Sequence, residues 1–139
     1  MPRKRDFNPN VLNVVRTEAV CLSYESGCGI QGDALQFNIF LPRRVLLGNK
    51  KQLVCSARDE LLLGRMLVKH FGGYSFKVDL LAGFGLREGE TETNLHRVFT
   101  VAAASSDDTI QYFRILRKEL QECSGEEQIF IVQQRIKIV

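Results

Sequence analysis

No stretch of apolar residues in this sequence approaches the roughly 20 residues that a membrane-spanning helix needs. The basic start, MPRKRDFNPN, is not followed by the apolar region of a secretory signal, so we expect a cytoplasmic protein. The net charge of +3 is modest, whereas strong nucleic-acid binders are usually more lopsided in charge. A membrane partner is therefore not expected, and a polyanionic partner such as nucleic acid is permitted but not required.

Motifs for metal, phosphate or covalent chemistry are also missing. The four cysteines, Cys21, Cys28, Cys55 and Cys123, form no CxxC pair, and only two histidines are available to complete a metal site. The glycines of FGG and GFG do not follow a strand and open a helix, as phosphate-binding loops require, and there is no nucleophile elbow. We therefore expect no metal, no cofactor and no catalytic residue, which favours a non-enzymatic protein.

The composition that remains is that of an ordinary globular protein. A chain of 139 residues, 45% of them hydrophobic and 25% charged, suits one domain. Residues 1–10 are polar and basic and predict a mobile arm. Residues 11–24 are rich in Val and Leu and predict an N-terminal β extension, and 25–33 contain three glycines and predict a loop. The predicted α+β domain spans residues 11–139, with its core at 35–139.

The core begins with a strand and a helix. Residues 35–41 alternate as a strand, and Pro42 then leads out of it. Ser56 and Asp59 predict the start of a helix over residues 57–71. Its predicted apolar face contains the following residues: Ala57, Leu61, Leu63, Gly64, Leu67, Val68 and Phe71. Leu62 and Met66 are expected at the edge of that face.

Two strands, a helix and a last strand follow. Residues 74–84 alternate as one strand, and the polar sequence REGETET predicts a hairpin to a strand at about 94–104. SSDD, residues 105–108, predicts the cap and first turn of a second helix, which ends at Gly125. The sequence from 127 to 139 predicts the last strand. This order is the split βαβ pattern of ferredoxin-like domains, a βαββαβ antiparallel sheet with both helices on one face.

A resemblance supports the same fold. Its residues are FGGYS (71–75) after a helix, a glycine at 83 or 85, the acidic hairpin at 88–92, VFTVAAASSDD (98–108) and GEEQIFIV (125–132). In these features the span from about 56 to 134 resembles a group of small, uncharacterised bacterial ferredoxin-like proteins. The resemblance implies the fold and no activity.

The sheet face that the helices leave open is the first candidate site. By alternation it should carry Asn38, Phe40, Lys77, Asp79, His96, Thr100 and Arg135. Three uses of this face remain open: cover by the N-terminal strands, contact with the sheet of a second subunit, or binding of a ligand. His96 beside Asp79 could act as a general base, although one histidine on a polar sheet face is more often structural.

A second candidate site is basic. The cations that could hold phosphates are Arg3, Lys4, Arg5, Arg43, Arg44, Lys50 and Lys51, and the alternative is that they are solvated loop and tail charges. The aromatic motif of RNA-recognition sheets is missing. The sequence therefore predicts a self-associating module, as a homodimer, with an accessory role in binding an anionic partner such as nucleic acid. The alternative is a small-molecule-binding protein or enzyme that uses the open face around His96.

Overall fold

The computed structural model describes residues 3–15, 17, 32–47, 50–77, 82–87 and 90–138. Within these ranges the chain forms an α+β fold with an antiparallel sheet and two α-helices. The strands are β1 (Gly32–Leu47), β2 (Lys50–Leu53), β3 (Ser75–Lys77), β4 (Ala82–Arg87), β5 (Glu90–Ala103) and β6 (Ile131–Ile138). The helices are α1 (Ala57–Phe71) and α2 (Asp107–Ser124), and a short 3₁₀ helix spans Pro9–Val14.

Two long antiparallel strands, β1 and β5, form the centre of the sheet and pair from Leu35 opposite Ala103 to Leu47 opposite Glu92. On the outer edge of β1, β6 pairs with its first half and β2 with its last residues. On the outer edge of β5, β4 and β3 pair with successive segments. The antiparallel α+β prediction is confirmed.

Strand β1 is longer than the sequence predicted, and β2 was not predicted. Pro42 was expected to end the strand because proline has no N–H to donate to a neighbouring strand. The pairing of β1 with β5 shifts register between Pro42 and Arg44. This bulge accommodates the proline, so β1 continues and forms a hairpin with β2.

The bounds of both helices follow from local sequence and confirm the predicted starts and ends. The Ser56 side chain accepts from the Asp59 N–H, and the Asp59 carboxylate accepts from the Ser56 N–H. Gly72 ends α1 in the left-handed conformation at φ 86°. Ser106 caps α2, and Gly125, at φ 76°, ends it.

One hydrophobic core joins both helices to the same face of the sheet. Leu35, Phe37, Ile39 and Leu41 of β1 and Phe99, Val101 and Ala103 of β5 belong to it. The Phe37 ring stacks on Phe113 of α2 at 3.8 Å between centroids, and Phe113 in turn stacks on Phe71 of α1 at 5.2 Å. The alternation predicted for β1 is therefore confirmed.

The N-terminal segment does not form the mobile arm that the sequence suggested. Residues 3–15, here called the strap, pack against the helices, with Phe7 and Leu12 buried in the core. The Lys4 and Arg5 N–H groups donate to the Cys123 carbonyl at 3.0 and 3.2 Å. Where strands were predicted from residue 11, the chain forms the 3₁₀ helix, because Asn8 caps it and Pro9 favours its first turn. Residues 18–31 lie outside the described part.

The buried face of α1 matches the prediction at Leu63, Gly64, Leu67 and Phe71 but is rotated relative to the predicted face. Asp59, Met66 and His70 are buried, whereas Leu61 and Val68 are exposed. The strap covers the side of α1 that carries Asp59. Because α1 contacts the strap as well as the sheet, its buried face is rotated away from Leu61 and Val68.

Within the strand predicted at 74–84, the structure describes two segments, β3 and the start of β4, and both strands pair with β5. Residues 78–81 between them lie outside the described part. Tyr74 and Phe76 lean against the buried Phe99 ring at 5.2 and 5.1 Å between centroids, but both remain partly exposed. At this end of α1 and β3, apolar side chains that contact the core are therefore only partly covered.

Candidate functional site

The structure brings five of the seven predicted open-face residues together. Asn38 lies opposite Thr100, and the Thr100 hydroxyl donates to the Asn38 side-chain oxygen at 2.7 Å. Phe40 meets His96 edge to face at 6.3 Å between ring centroids. Lys77 lies opposite Val98, which itself lies opposite Phe40. Asparagine, threonine, two aromatic rings and one lysine therefore share this face.

Arg135 does not belong to this face, which corrects the prediction. Arg135 lies opposite Leu35, and Gln133 lies opposite Phe37. Directly paired residues point to the same side of an antiparallel sheet, so both side chains lie on the helix side. The register between β6 and β1 decides which β6 side chains lie on the helix side of the sheet. A register shift of one residue would move every β6 side chain to the opposite face. Asp79 lies outside the described residues.

The strap lies on the helix side of the sheet, so residues 3–15 do not cover the open face. The three uses considered for this face, cover by the N-terminal strands, contact with a second subunit and binding of a ligand, therefore stay predictions. The rest of the predicted N-terminal β extension lies outside the described residues.

Arg3, predicted to hold phosphate, instead contacts a buried carboxylate. The Arg3 guanidinium contacts Asp59 at the start of α1 and also the exposed Asp6. Asp59 additionally accepts the Phe7 N–H at 2.9 Å. Desolvation acts to raise the pKa of Asp59, but the Arg3 hydrogen bond and the Phe7 and Ser56 N–H groups outweigh it and hold the pKa below its usual value.

Arg5 is held in the same way by α2. Its guanidinium makes two hydrogen bonds of 2.6 Å to the buried Glu119 carboxylate, which also accepts the Asn8 N–H at 2.8 Å. The Glu119 hydrogen bond raises the pKa of Arg5 above its already high value, so the guanidinium stays charged. A bidentate pair of this kind fixes orientation as well as charge.

The remaining predicted cations do not form one described patch. Arg43 contacts Glu60, Lys4 and Arg44 are exposed, and the side chains of Lys50 and Lys51 lie outside the description. Three of the five described cations thus neutralise carboxylates of this chain. The sequence could not reveal this, because Arg5 and Glu119 are 114 positions apart.

A cavity of about 320 Å³ lies where α1 turns into β3. It is lined by Gln36, Phe71, Gly73, Tyr74, Ser75, Thr100 and Ala102. Four of these residues belong to the FGGYS sequence, which was not predicted as a site. The two consecutive glycines are the sequence signal for this cavity, because one glycine, Gly72, is enough to end α1.

A second cavity, of about 290 Å³, lies on the neighbouring flank. It is lined by Ala57, Glu60 and Leu61 of α1, by Tyr74 and Phe76, and by Phe99. We call Leu61, Val68, Tyr74 and Phe76 the α1–β3 flank. Each of the four side chains keeps between 39% and 54% of its surface exposed. The flank is apolar and only partly covered.

Buried polar groups of α1 and α2 meet beneath the strap side of the core. His70 Nδ1 lies 2.8 Å from the Thr17 hydroxyl, and the His70 ring lies 4.8 Å from that of Tyr112. Among the described residues, His70 Nε2 and the Tyr112 hydroxyl have no hydrogen-bond partner. Desolvation, together with the Lys69 charge, lowers the pKa of His70, and burial raises the pKa of Tyr112.

Cys55 and Cys123 are buried free thiols in this core. Cys123 therefore packs as a small apolar residue of this core. Within the described ranges, no group of three or more His, Cys, Asp and Glu side chains is arranged to hold a metal ion.

Comparison with known proteins gives no relative. No protein-family model, no curated protein and no solved structure matches the chain. Of the helices in the described part, none combines the length and apolarity needed to cross a membrane.

Proposed function

We propose that this protein is a non-enzymatic module that self-associates as a homodimer through the α1–β3 flank. The observation that carries the proposal is the flank itself, four large apolar side chains that are half exposed next to each other. Leu61, Tyr74 and Phe76 line one cavity, and the Tyr74 hydroxyl lies over Gly64, between Leu61 and Val68 on the helix. Contiguous apolar surface of this kind is typical of interfaces.

A second copy of the chain is the occupant that fits this surface. The flank contains both a helix side and the outer edge of β3, which pairs with β5 alone among the described strands. A twofold axis through the flank would place each Leu61 and Phe76 against the same patch of the other subunit, as isologous dimers require. Because β3 has only three residues and carries Lys77, it is a poor template for strand pairing. Side-chain packing therefore carries the proposal.

The test is the molar mass in solution, measured by size-exclusion chromatography with light scattering. The full chain should give twice its 15.8 kDa mass, and Leu61→Glu should weaken the dimer at least about tenfold, since a buried charge would face the partner. Val132→Glu is the matched control, because Val132 is similarly exposed but lies opposite Asn38 on the open face. A wild-type monomer at high concentration, or dissociation by Val132→Glu alone, would refute the flank as the interface.

The ferredoxin-like classification belongs to the same proposal. Around residues 32–39 and 75–77, neighbouring strands follow the order β6, β1, β5, β3, which supports a split βαβ arrangement with β2 and β4 as additions. The free thiols of Cys55 and Cys123 support a reducing, cytoplasmic compartment. An accessory role in binding nucleic acid would rely on Lys4 and Arg44, which are exposed cations. Filter binding across a salt series tests this role.

A second candidate function is ligand binding on the open face. It is favoured by the contact between Phe40 and His96 and by the neighbouring hydrogen bond between Thr100 and Asn38. Screening by thermal shift with the wild type and His96→Ala tests this candidate. If every ligand-induced shift were the same in both proteins, the candidate would be wrong.

A further inference from the structure

We propose that the cavity at the FGGYS turn is a binding site for an uncharged aromatic molecule that carries an N–H or O–H donor. The site is independent of the proposed dimer, although Tyr74 borders both. Its volume of about 320 Å³ falls at the lower end of the range for small-molecule pockets.

Gly73 gives the first argument, because the fold does not require a glycine there. Gly72, not Gly73, adopts the left-handed conformation that ends α1. A Cβ atom built on Gly73 would meet no atom within 4 Å. The missing side chain therefore relieves neither backbone strain nor a steric clash. Its effect is to keep the cavity open and to expose the Gly73 backbone to an occupant.

The aromatic walls give the second argument, because the surrounding structure holds them in place. Phe71 is buried and contacts Tyr112 edge to face at 4.9 Å between centroids. Tyr74 rests on Phe99 and places its hydroxyl over Gly64, 2.5 Å from where a Cβ atom would lie. Two restrained rings and Ala102 give a preformed apolar surface, which lowers the entropic cost of binding a flat ring.

The polar lining sets the chemistry of the occupant. Gln36, Ser75 and Thr100 supply an amide and two hydroxyls, and none of the lining side chains is charged. The Thr100 hydroxyl already donates its proton to Asn38 at 2.7 Å, so it can offer a ligand only an acceptor. An occupant that donates to Thr100 and carries no charge fits this lining, because an ionised group would be desolvated without a counter-ion.

Three probes of similar size distinguish these requirements in an NMR titration of the isotope-labelled full chain. Benzamide is neutral and has an N–H donor, methyl benzoate is neutral without a donor, and benzoate is an anion. Benzamide should shift the Gly73, Ser75, Thr100 and Ala102 signals saturably, with a Kd of roughly 1 mM for so small a probe. Methyl benzoate should bind about tenfold more weakly because it cannot donate the hydrogen bond. Benzoate should also bind about tenfold more weakly because its charge would be desolvated.

Two variants locate the site. Gly73→Leu should abolish the saturable shifts with little change in melting temperature, since the added side chain enters open space. Thr100→Val should reduce the affinity for benzamide about tenfold, to that for methyl benzoate, and it keeps the test decisive if Gly73→Leu does not fold.

The proposal is overturned if benzamide gives no saturable shift, if all three probes bind equally, or if Thr100→Val binds benzamide like the wild type. Shifts confined to Phe40 and His96 would overturn it in favour of a site at those two rings. The molar mass, measured with and without benzamide, separates a failure of this site from a failure of the proposed dimer.

Discussion

Gly64 has no side chain, and this leaves the space over α1 that the Tyr74 hydroxyl occupies. A Cβ atom on Gly64 would lie 2.5 Å from the Tyr74 hydroxyl and 3.0 Å from the ring carbon that bears it. Alanine would therefore displace Tyr74 from its position over α1. The same substitution removes a glycine from the interior of a helix, which by itself stabilises by about 1 kcal/mol.

These two effects oppose each other, and a double-mutant cycle separates them. We expect Gly64→Ala to be near neutral or destabilising in the wild type, because displacing Tyr74 offsets the gain in helix propensity. In a Tyr74→Phe background the same substitution should be more favourable by about 1 kcal/mol, since the closest atom is gone. Urea unfolding of the four proteins measures this, and strict additivity would contradict the contact.

The sequence located Gly64 on the buried side of α1 but could not identify its partner. Helical periodicity places Gly64 beside Leu67 and Phe71 within one element. The approach of Tyr74 depends on the turn at Gly72 and on where β3 begins along β5. Likewise, the sheet face on which Arg135 lies depends on the register of β6, which the alternating sequence of a single strand does not determine.

At the scale of elements, the strap changes which face of α1 is buried. Asp59 and His70 are polar, so the hydrophobic periodicity of α1 does not predict that their side of the helix is buried. In the structure Asp59 accepts from Arg3 and Phe7, and His70 contacts Thr17. Capping residues and local periodicity predicted the bounds of α1 because these signals lie within a few positions of each other. The partners of Asp59 and His70, Phe7 and Thr17, lie more than 50 positions away.

Phe7→Ala tests whether the strap contributes to stability. Because Phe7 is 3% exposed and belongs to the core, its truncation should lower the free energy of unfolding by about 3 kcal/mol. Val14→Ala is the matched control within the strap, since Val14 is exposed and should change stability by less than about 0.5 kcal/mol. Equal, negligible effects in urea unfolding would mean that residues 3–10 form the mobile arm first expected.

At the scale of the whole molecule, buried His70 should make stability depend on pH. Desolvation and the Lys69 charge lower its pKa in the folded state from the usual 6.5. The unfolded chain therefore binds the proton more readily, and stability falls as pH drops from about 6.5 towards the folded pKa. Above that window the contribution is constant. Tyr112 of α2 and Thr17 are the other polar groups in contact with the ring.

The prediction is checked by urea unfolding at a series of pH values for the wild type and His70→Gln. The wild type should lose stability between neutral and mildly acidic pH, and the variant should lose less over the same interval. His96 is present in both proteins, so its titration cancels in the comparison. Identical pH profiles would show that His70 is not held neutral by burial. The pKa of Asp59 is lowered in the folded state, so its contribution to stability is lost only when the pH falls below the usual pKa of 3.8.

The ion pair between Arg5 and Glu119 also has a consequence for translation, because its two partners are synthesised at different times. The strap is synthesised before its partner on α2, because Glu119 follows Arg5 by 114 residues, roughly ten seconds at ordinary translation speed. Until then Phe7 and Leu12 have no complete groove to fill. We therefore expect the nascent chain to expose the apolar and basic side chains of the strap until translation has passed α2.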